Sequence, residues 1–296
     1  MNTKLNTENI LGVPFIINSE KEVLEYITTR LENSNKKFYV VTPNPENLVL
    51  AGKNSSFKKA LIEAEVVLPD GVGIVWASSL KGKGIKKRIT GVDFMEKLVK
   101  EFAEQAVTVG FLGGKDGVAK VVADCYKKKY PKLQVFYVGE EWPDSMFQST
   151  HQSKRRSATA SSTNDVSSSS LNESLSPDQV PSQVSLSGET FNSFASSESP
   201  SGKGKTSPLK YVDFLFVAFG SPKQEIWIHD NLAKLPIKGA MGVGGAFDMV
   251  AGRVRRAPIF IQKAGIEWLW RLTLQPWRIK RQIRLIEFIW LVLGKG

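Results

Sequence analysis

The sequence predicts an α/β fold, a largely parallel sheet flanked by helices. Three observations predict it. Short β-rich apolar runs alternate with helical periodicity over residues 1–142, and the same alternation returns over residues 209–252. The runs are bounded by Gly, Pro, Asn and Asp, and glycine-rich strings stand where a strand hands over to a helix. Strands separated by helical segments are the pattern that a parallel sheet with crossover helices requires. A chain of 296 residues with 42% hydrophobic content is long enough to bury such a core.

Each element has a local cause. Ser19-Glu20-Lys21-Glu22 is a capping-box signature, and it opens a helix with Val23, Tyr26, Ile27 and Leu31 on one apolar stripe. Phe38-Tyr39-Val40-Val41 reads as a buried strand, after which Asn44-Pro45 supplies an N-cap and a first helical position. Val66-Val67-Leu68 is a second short strand, ended by Pro69-Asp70-Gly71. Phe94, Leu98 and Phe102 recur at four-residue spacing on a helix that precedes a strand over residues 107–112. Residues 117–129 read as helix, with Cys125 in their apolar stripe and so in the core, and residues 135–138 as strand. Ser221 and Gln224 have capping-box spacing after the strand over residues 211–217. The whole is a Rossmann-like arrangement.

Two segments stand apart from that core. Residues 143–208 are Ser-rich, with almost no apolar periodicity, and read as a long disordered insertion, since they bury too little to offset their ordering entropy. Within them Gly202-Lys203-Gly204-Lys205-Thr206 lacks the first glycine of a phosphate loop, and Arg155-Arg156-Ser157 is an easily accidental basic string. Residues 253–296 form a helical appendage, interrupted at Pro276, with ten Lys or Arg against two Glu. It also carries Trp268, Trp270, Trp277 and Trp290, four of the seven tryptophans. Cations mixed with indoles suit an anionic, half-apolar partner such as a membrane surface, or a nucleic acid. The apolar run over residues 285–293 is too short to span a bilayer alone but long enough to lie along one. The single cysteine fits a reducing compartment, and the first ten residues show no signal-peptide pattern.

The candidate site lies at the strand ends, because ligands of such sheets bind outside the carboxyl ends of the strands. Three glycine-rich junctions qualify: residues 110–117 with Gly113 and Gly114, Gly220-Ser221-Pro222-Lys223-Gln224-Glu225, and residues 242–248 with Gly244 and Gly245. Each reads either as a cradle for a diphosphate or as a tight strand-to-helix turn. Leu68-Pro69-Asp70-Gly71-Val72-Gly73 sets a carboxylate beside glycines that leave a ligand room; Asp70 is a candidate general base or else a helix cap. Thr42 and Asn44 flank the same edge, with capping as their alternative. No Asp-x-Asp pair exists to hold a metal on a nucleotide diphosphate, so leaving-group charge falls to helix termini, Arg and Lys.

Six strings in order resemble one family. They are Val41-Thr42-Pro43-Asn44-Pro45-Glu46-Asn47, Leu68-Pro69-Asp70-Gly71-Val72-Gly73, Arg88-Ile89-Thr90-Gly91-Val92-Asp93, Phe219-Gly220-Ser221-Pro222-Lys223-Gln224-Glu225, Gly242-Val243-Gly244-Gly245-Ala246-Phe247-Asp248 and Arg256-Ala257-Pro258. The chain resembles the WecG/TagA/CpsF glycosyltransferases, most closely their TagA branch, from about Ile10 onward except in the Ser-rich tract. The resemblance implies an inverting, metal-independent transferase without a cofactor. It would move N-acetylmannosamine from UDP-N-acetylmannosamine to N-acetylglucosamine on undecaprenyl diphosphate, a step of teichoic acid linkage-unit synthesis.

By the same resemblance Asp70 is the general base and Thr42 its neighbour, while Arg88 and Gln224 line the sugar and diphosphate pocket. Asn44, Asn47, Gly113, Gly114, Gly244 and Gly245 complete the expected binding set, with Arg271, Arg278 and Arg281 delivered by the appendage. It further implies a cytoplasmic protein, peripheral on the inner face of the membrane, with no nucleic-acid partner; homo-oligomerisation stays open. The departure from the family is the tract 143–208, where its members have a short connection. Two other readings are weaker. A dinucleotide dehydrogenase needs G-x-G-x-x-G, which residues 110–117 lack, and a pure lipid or nucleic-acid binder leaves Asp70 and three glycine loops unused.

Overall fold

The computed structural model describes residues 5–80, 82, 84–147, 212–276 and 279–294, with the backbone alone at 280–282. It opens on a hairpin the sequence patterns did not suggest: β1 (Thr7–Ile10) and β2 (Val13–Ile16) pair antiparallel. Leu11 and Gly12 link them with φ of 53° and 90°, the two-residue turn whose twist matches that of paired strands. The helix α1 (Glu20–Asn33) then starts on the expected reciprocal cap between Ser19 and Glu22 and buries Val23, Ile27 and Leu31.

The core follows in chain order: β3 (Phe38–Val41), α2 (Pro45–Lys53), α3 (Ser55–Ile62), β4 (Val66–Val67), α4 (Val72–Leu80), α5 (Gly91–Glu104), β5 (Thr108–Gly113), α6 (Val118–Lys129) and β6 (Gln134–Gly139). A single 3₁₀ turn, Asp144–Met146, closes this half. The chain returns as β7 (Val212–Ala218), α7 (Lys223–Asn231), β8 (Ile237–Gly242) and α8 (Ala246–Val250). Six strands form one sheet in the order β4-β3-β8-β7-β5-β6, and every neighbouring pair is parallel.

Both faces of that sheet are covered, as an all-parallel sheet requires. Alternation along β7 shows how: Phe214 and Phe216 point into one apolar cluster with α1, α5, α6 and α8. Leu215 and Val217 point into another with α2, α3, α4 and α7. The sequence reading put Cys125 in the core, but it is exposed. The buried stripe of α6 runs through Val118, Val122, Ala123 and Tyr126, and position 125 falls beside it.

The appendage is three helices, α9 (Ile259–Ala264), α10 (Glu267–Leu274) and α11 (Ile279–Leu293). Gly265, at φ 75°, interrupts the first pair. The last helix packs on α2: Phe288 and Val292 are buried with Leu48 and Ile74. Ion pairs flank that contact, Arg284 with Glu46 at 2.8 Å and Lys53 with Glu287 at 2.6 Å. The side away from α2 is apolar as well, with Ile283, Ile286 and Trp290 exposed, and α9 exposes Ile259 and Phe260. Among the described residues no helix is long and apolar enough to cross a membrane.

Phe288 is the central apolar contact of α11. Phe288→Ala should cost about 3–5 kcal/mol, the usual range for a fully buried phenylalanine. In hydrogen exchange, α11 and α2 should lose protection before the sheet does. Unchanged protection in α11 would mean that other contacts hold it.

Candidate active site

The carboxyl ends of β4, β3, β8, β7 and β5 open onto one cleft of about 1420 Å³. Thr42, Asp70, Arg88, Gln224, Gly244 and Arg271 are among the residues that line it. All three glycine-rich junctions reach it, through Gly114, Gly220 and Gly244. The structure thus brings most of the sequence-derived candidates together, although they span two hundred residues of chain.

Asp70 sits where the edge strand β4 ends. Pairing continues briefly past the strand, with the Leu68 amide donating to the Val41 carbonyl at 2.8 Å and the Asp70 amide to Pro43 at 3.4 Å. Gly71, at φ 97°, then turns the chain into α4, a conformation that favours glycine. The Asp70 carboxylate lies beside the backbone N–H of Gly91, the first residue of α5, which favours its ionised form. It faces a helix N-terminus and the cleft. Burial pushes its pKa up to about 6, and the nearby Glu267 adds to the rise. Arg88, the Gly91 amide and Arg271 oppose it. Desolvation wins over three favourable partners, which tunes the group toward a base that exchanges protons near neutrality.

Thr42 meets the same helix end. A side chain at Gly91 would put its Cβ 3.0 Å from Thr42 Oγ1, so a larger residue there would have to push Thr42 aside. Asp70 and Thr42 are therefore neighbours through Gly91. After β3, the strand that also precedes Thr42, Asn44 and Asn47 form a reciprocal cap at the start of α2, each side-chain oxygen accepting from the other's backbone N–H. Asn47 Nδ2 also donates to Ser221 Oγ at 2.7 Å, tying the β3 loop to the β7 loop.

The capping box read at Ser221 and Gln224 does not form. Pro222 holds the cap position of α7 and no side chain caps it. The Gln224 amide goes elsewhere: Oε1 accepts from the backbone N–H of Gly220 at 3.2 Å and of Gly244 at 2.9 Å. Its Nε2 donates to Glu225 Oε1 at 2.9 Å. Two orphan amides of facing loops outbid the local cap, and Ser221 is drawn to Asn47. Gln224 thus clamps the β7 and β8 loops, a role sequence spacing did not indicate. Glu225, not among the sequence candidates, is buried in the same wall with Oε2 lacking a hydrogen bond, and burial raises its pKa.

The loop after β5 is shorter than its glycines suggest. Gly110 and Gly113 belong to the strand. Gly113 packs against the Phe219 ring and Gly114 against Val118, both with positive φ, so close approach accounts for them. The loop is fastened by Arg253, which donates to the carbonyls of Lys115 at 2.9 Å and Asp116 at 2.6 Å.

The appendage enters the site through ionic contacts. Arg88 pairs with Glu267 at 3.0 Å and also donates to the Gln262 carbonyl. Arg256 grips Asp93 at the start of α5 through both terminal nitrogens, at 2.6 and 2.7 Å. Arg271 lies against Gly245, its Nη2 3.6 Å from where a Cβ would stand. Arg284 and Phe288 of α11 complete that wall. Arg278 falls outside the described residues, as does the side chain of Arg281. His229 belongs to another place, between Glu63 at 2.9 Å and Asp230 at 2.7 Å on the far side of α7.

A parallel sheet with a carboxylate, glycine loops and arginines at one edge is an arrangement suited to a group-transfer enzyme. The model of the glycosyl transferase WecG/TagA/CpsF family matches residues 8–160 and 210–296, and the chain belongs to that family. It is 25% identical over 289 residues, 98% of this chain, to the N-acetylglucosaminyldiphosphoundecaprenol N-acetyl-beta-D-mannosaminyltransferase of Bacillus subtilis strain 168, covering 92% of that protein. A protein of the same name from Bacillus spizizenii is 25% identical, with 91% of its length covered. The one from Staphylococcus aureus is 26% identical over 274 residues, 92% of this chain and 87% of the relative.

Proposed function

We propose that this glycosyltransferase moves N-acetylmannosamine from UDP-N-acetylmannosamine to N-acetylglucosamine on undecaprenyl diphosphate, with inversion and without a metal. The acceptor is the one in the names of the relatives. The observation that carries the reading is the Asp70 carboxylate, its pKa pushed up to about 6, in one cleft with the glycine loops and Arg271.

Inversion is one in-line displacement and needs one base. Asp70 removes the proton of the acceptor hydroxyl as that oxygen bonds to the anomeric carbon. On the opposite face the bond to the UDP oxygen breaks, and negative charge grows on the diphosphate. Arg271 beside Gly245 meets that charge where other transferases use a metal ion. Gln224 keeps the β7 and β8 loops in register around the donor. Thr42, Asn44, Asn47 and Gly114 act as the frame of this pocket, while the expected Gly113 ends β5 against the Phe219 ring and is not among the residues that line the cleft.

The exposed Ile259, Phe260, Ile283, Ile286 and Trp290 beside the basic appendage support docking on an anionic bilayer, at the inner face where the lipid acceptor is held. A panel of UDP-sugars with a lipid-diphosphate acceptor in excess chelator tests the assignment. The expected products are UDP and a β-linked disaccharide, with UDP-N-acetylmannosamine the best donor. An α-linked product, another preferred donor or strict dependence on added metal would overturn the corresponding part.

A further inference from the structure

Residues Lys81-Gly82-Lys83-Gly84-Ile85-Lys86-Lys87-Arg88 hold five cations and no acid. No step above uses the lysines. Lys86, Lys87 and Arg88 join Lys263 of α9 and Val72, Val75, Trp76 and Ser79 of α4 around a second cavity of about 650 Å³. Val72, Trp76 and Arg88 line both this cavity and the catalytic cleft, so the two share a wall.

Among the described residues the lysines are without ion-pair partners. Lys86, Lys87 and Lys263 are exposed, and among the described residues no carboxylate pairs with any of them. Arg88, by contrast, is neutralised by Glu267. Three like charges gathered around one apolar-walled cavity raise a positive potential there that favours an anion. Lysine serves as a point counter-charge for phosphate.

The sheet order says which anion. β4 is an edge strand, and the glycine loops follow β8, β7 and β5 on the inner side of Asp70. The second cavity lies against α4, which follows Asp70 in the chain, and it shares Val72, Trp76 and Arg88 with the catalytic cleft. With a hydroxyl at Asp70 and the donor over the glycine loops, the rest of the acceptor has a path past the shared wall of Val72, Trp76 and Arg88 into the second cavity. We propose that the second cavity holds the diphosphate of the lipid-linked acceptor, with Lys86, Lys87 and Lys263 as counter-charges and Trp76 and Val72 beside the first isoprene units. The inference rests on the transferase reading above and adds a subsite to it.

The test is the triple variant Lys86→Gln/Lys87→Gln/Lys263→Gln, all at exposed positions. Its KM for a short-chain N-acetylglucosaminyl diphospholipid should rise at least tenfold, while the donor KM and kcat at saturating acceptor move less than twofold. Farnesyl diphosphate, which lacks the sugar, should compete with the acceptor in the wild type and lose potency by a similar factor in the variant. An unchanged acceptor KM, or equal inhibition of both proteins, would overturn the proposal. So would a variant that sediments less with anionic phosphatidylglycerol vesicles yet keeps its acceptor KM, since the cavity would then serve bulk headgroups. Should the wild type fail to use any UDP-sugar with a lipid-diphosphate acceptor, the transferase reading falls and this subsite with it; an active wild type beside an unaffected variant rejects the subsite alone.

Discussion

Asp70→Asn reduces turnover by about 10²–10⁴-fold, the range for loss of a general base, and at the same time makes the protein more stable at neutral pH. The two effects share one cause. Burial raises the Asp70 pKa from 3.8 to about 6, so the folded state binds this proton more tightly than the unfolded chain does. The contribution to stability is therefore fully present below pH 3.8 and lost as pH rises through about 6. At pH 7.5 the ionised, desolvated carboxylate costs on the order of 1–3 kcal/mol, which the neutral amide removes. Thermal melts should place the variant above the wild type at pH 7.5, and the gap should close toward pH 4. The wild-type kcat/KM should fall tenfold per unit below about pH 6, reporting the base in the free enzyme. An inactive variant with an unchanged melting profile would assign Asp70 a role without the desolvation argued here.

Arg271→Gln is the second large effect, expected at about 10²–10³-fold in kcat, the cost of removing one preorganised partner of a developing negative charge. It has an independent signature. Arg271 holds the Asp70 pKa down, so the variant's acid limb moves to higher pH. Arg271→Lys should restore much of the limb position, because it keeps the charge, and less of the rate, because it loses the planar fork. A rate loss with no movement of the limb would separate Arg271 from Asp70 and place it in the docking of the appendage.

What the sequence made legible was mostly local. Ser19 with Glu22 and Asn44 with Pro45 mark helix starts through contacts made within four residues, and both caps form. The strand runs and the spacing of Phe94, Leu98 and Phe102 encode the sheet and its covering helices through burial period alone. Asp70 stood out because the glycines after it leave a ligand room at a strand end, with a helix cap as the alternative, and the structure places it in the cleft.

The misreadings have non-local causes. Gln224 carries a cap signature three residues after Ser221, yet its partners include the amide of Gly244, twenty residues away. Glu225, Arg253 and Arg284 joined the site only once β7, β8 and α11 had been placed around it. The β1–β2 hairpin escaped notice because its strands are four residues long and joined by only Leu11 and Gly12. Cys125 falls one position outside the buried stripe although Val122 and Tyr126 on either side of it are buried, a difference of one helical step that composition does not encode.

The measurement nearest to the central claim is a carboxyl-carbon NMR titration of Asp70 in protein labelled at aspartate, assigned by the signal missing from Asp70→Asn, without and with saturating UDP. A pKa near 6 in the free protein, moved further upward by the bound diphosphate, is the predicted result. A midpoint in the ordinary aspartate range that UDP leaves in place would show that the carboxylate and the nucleotide do not share a site.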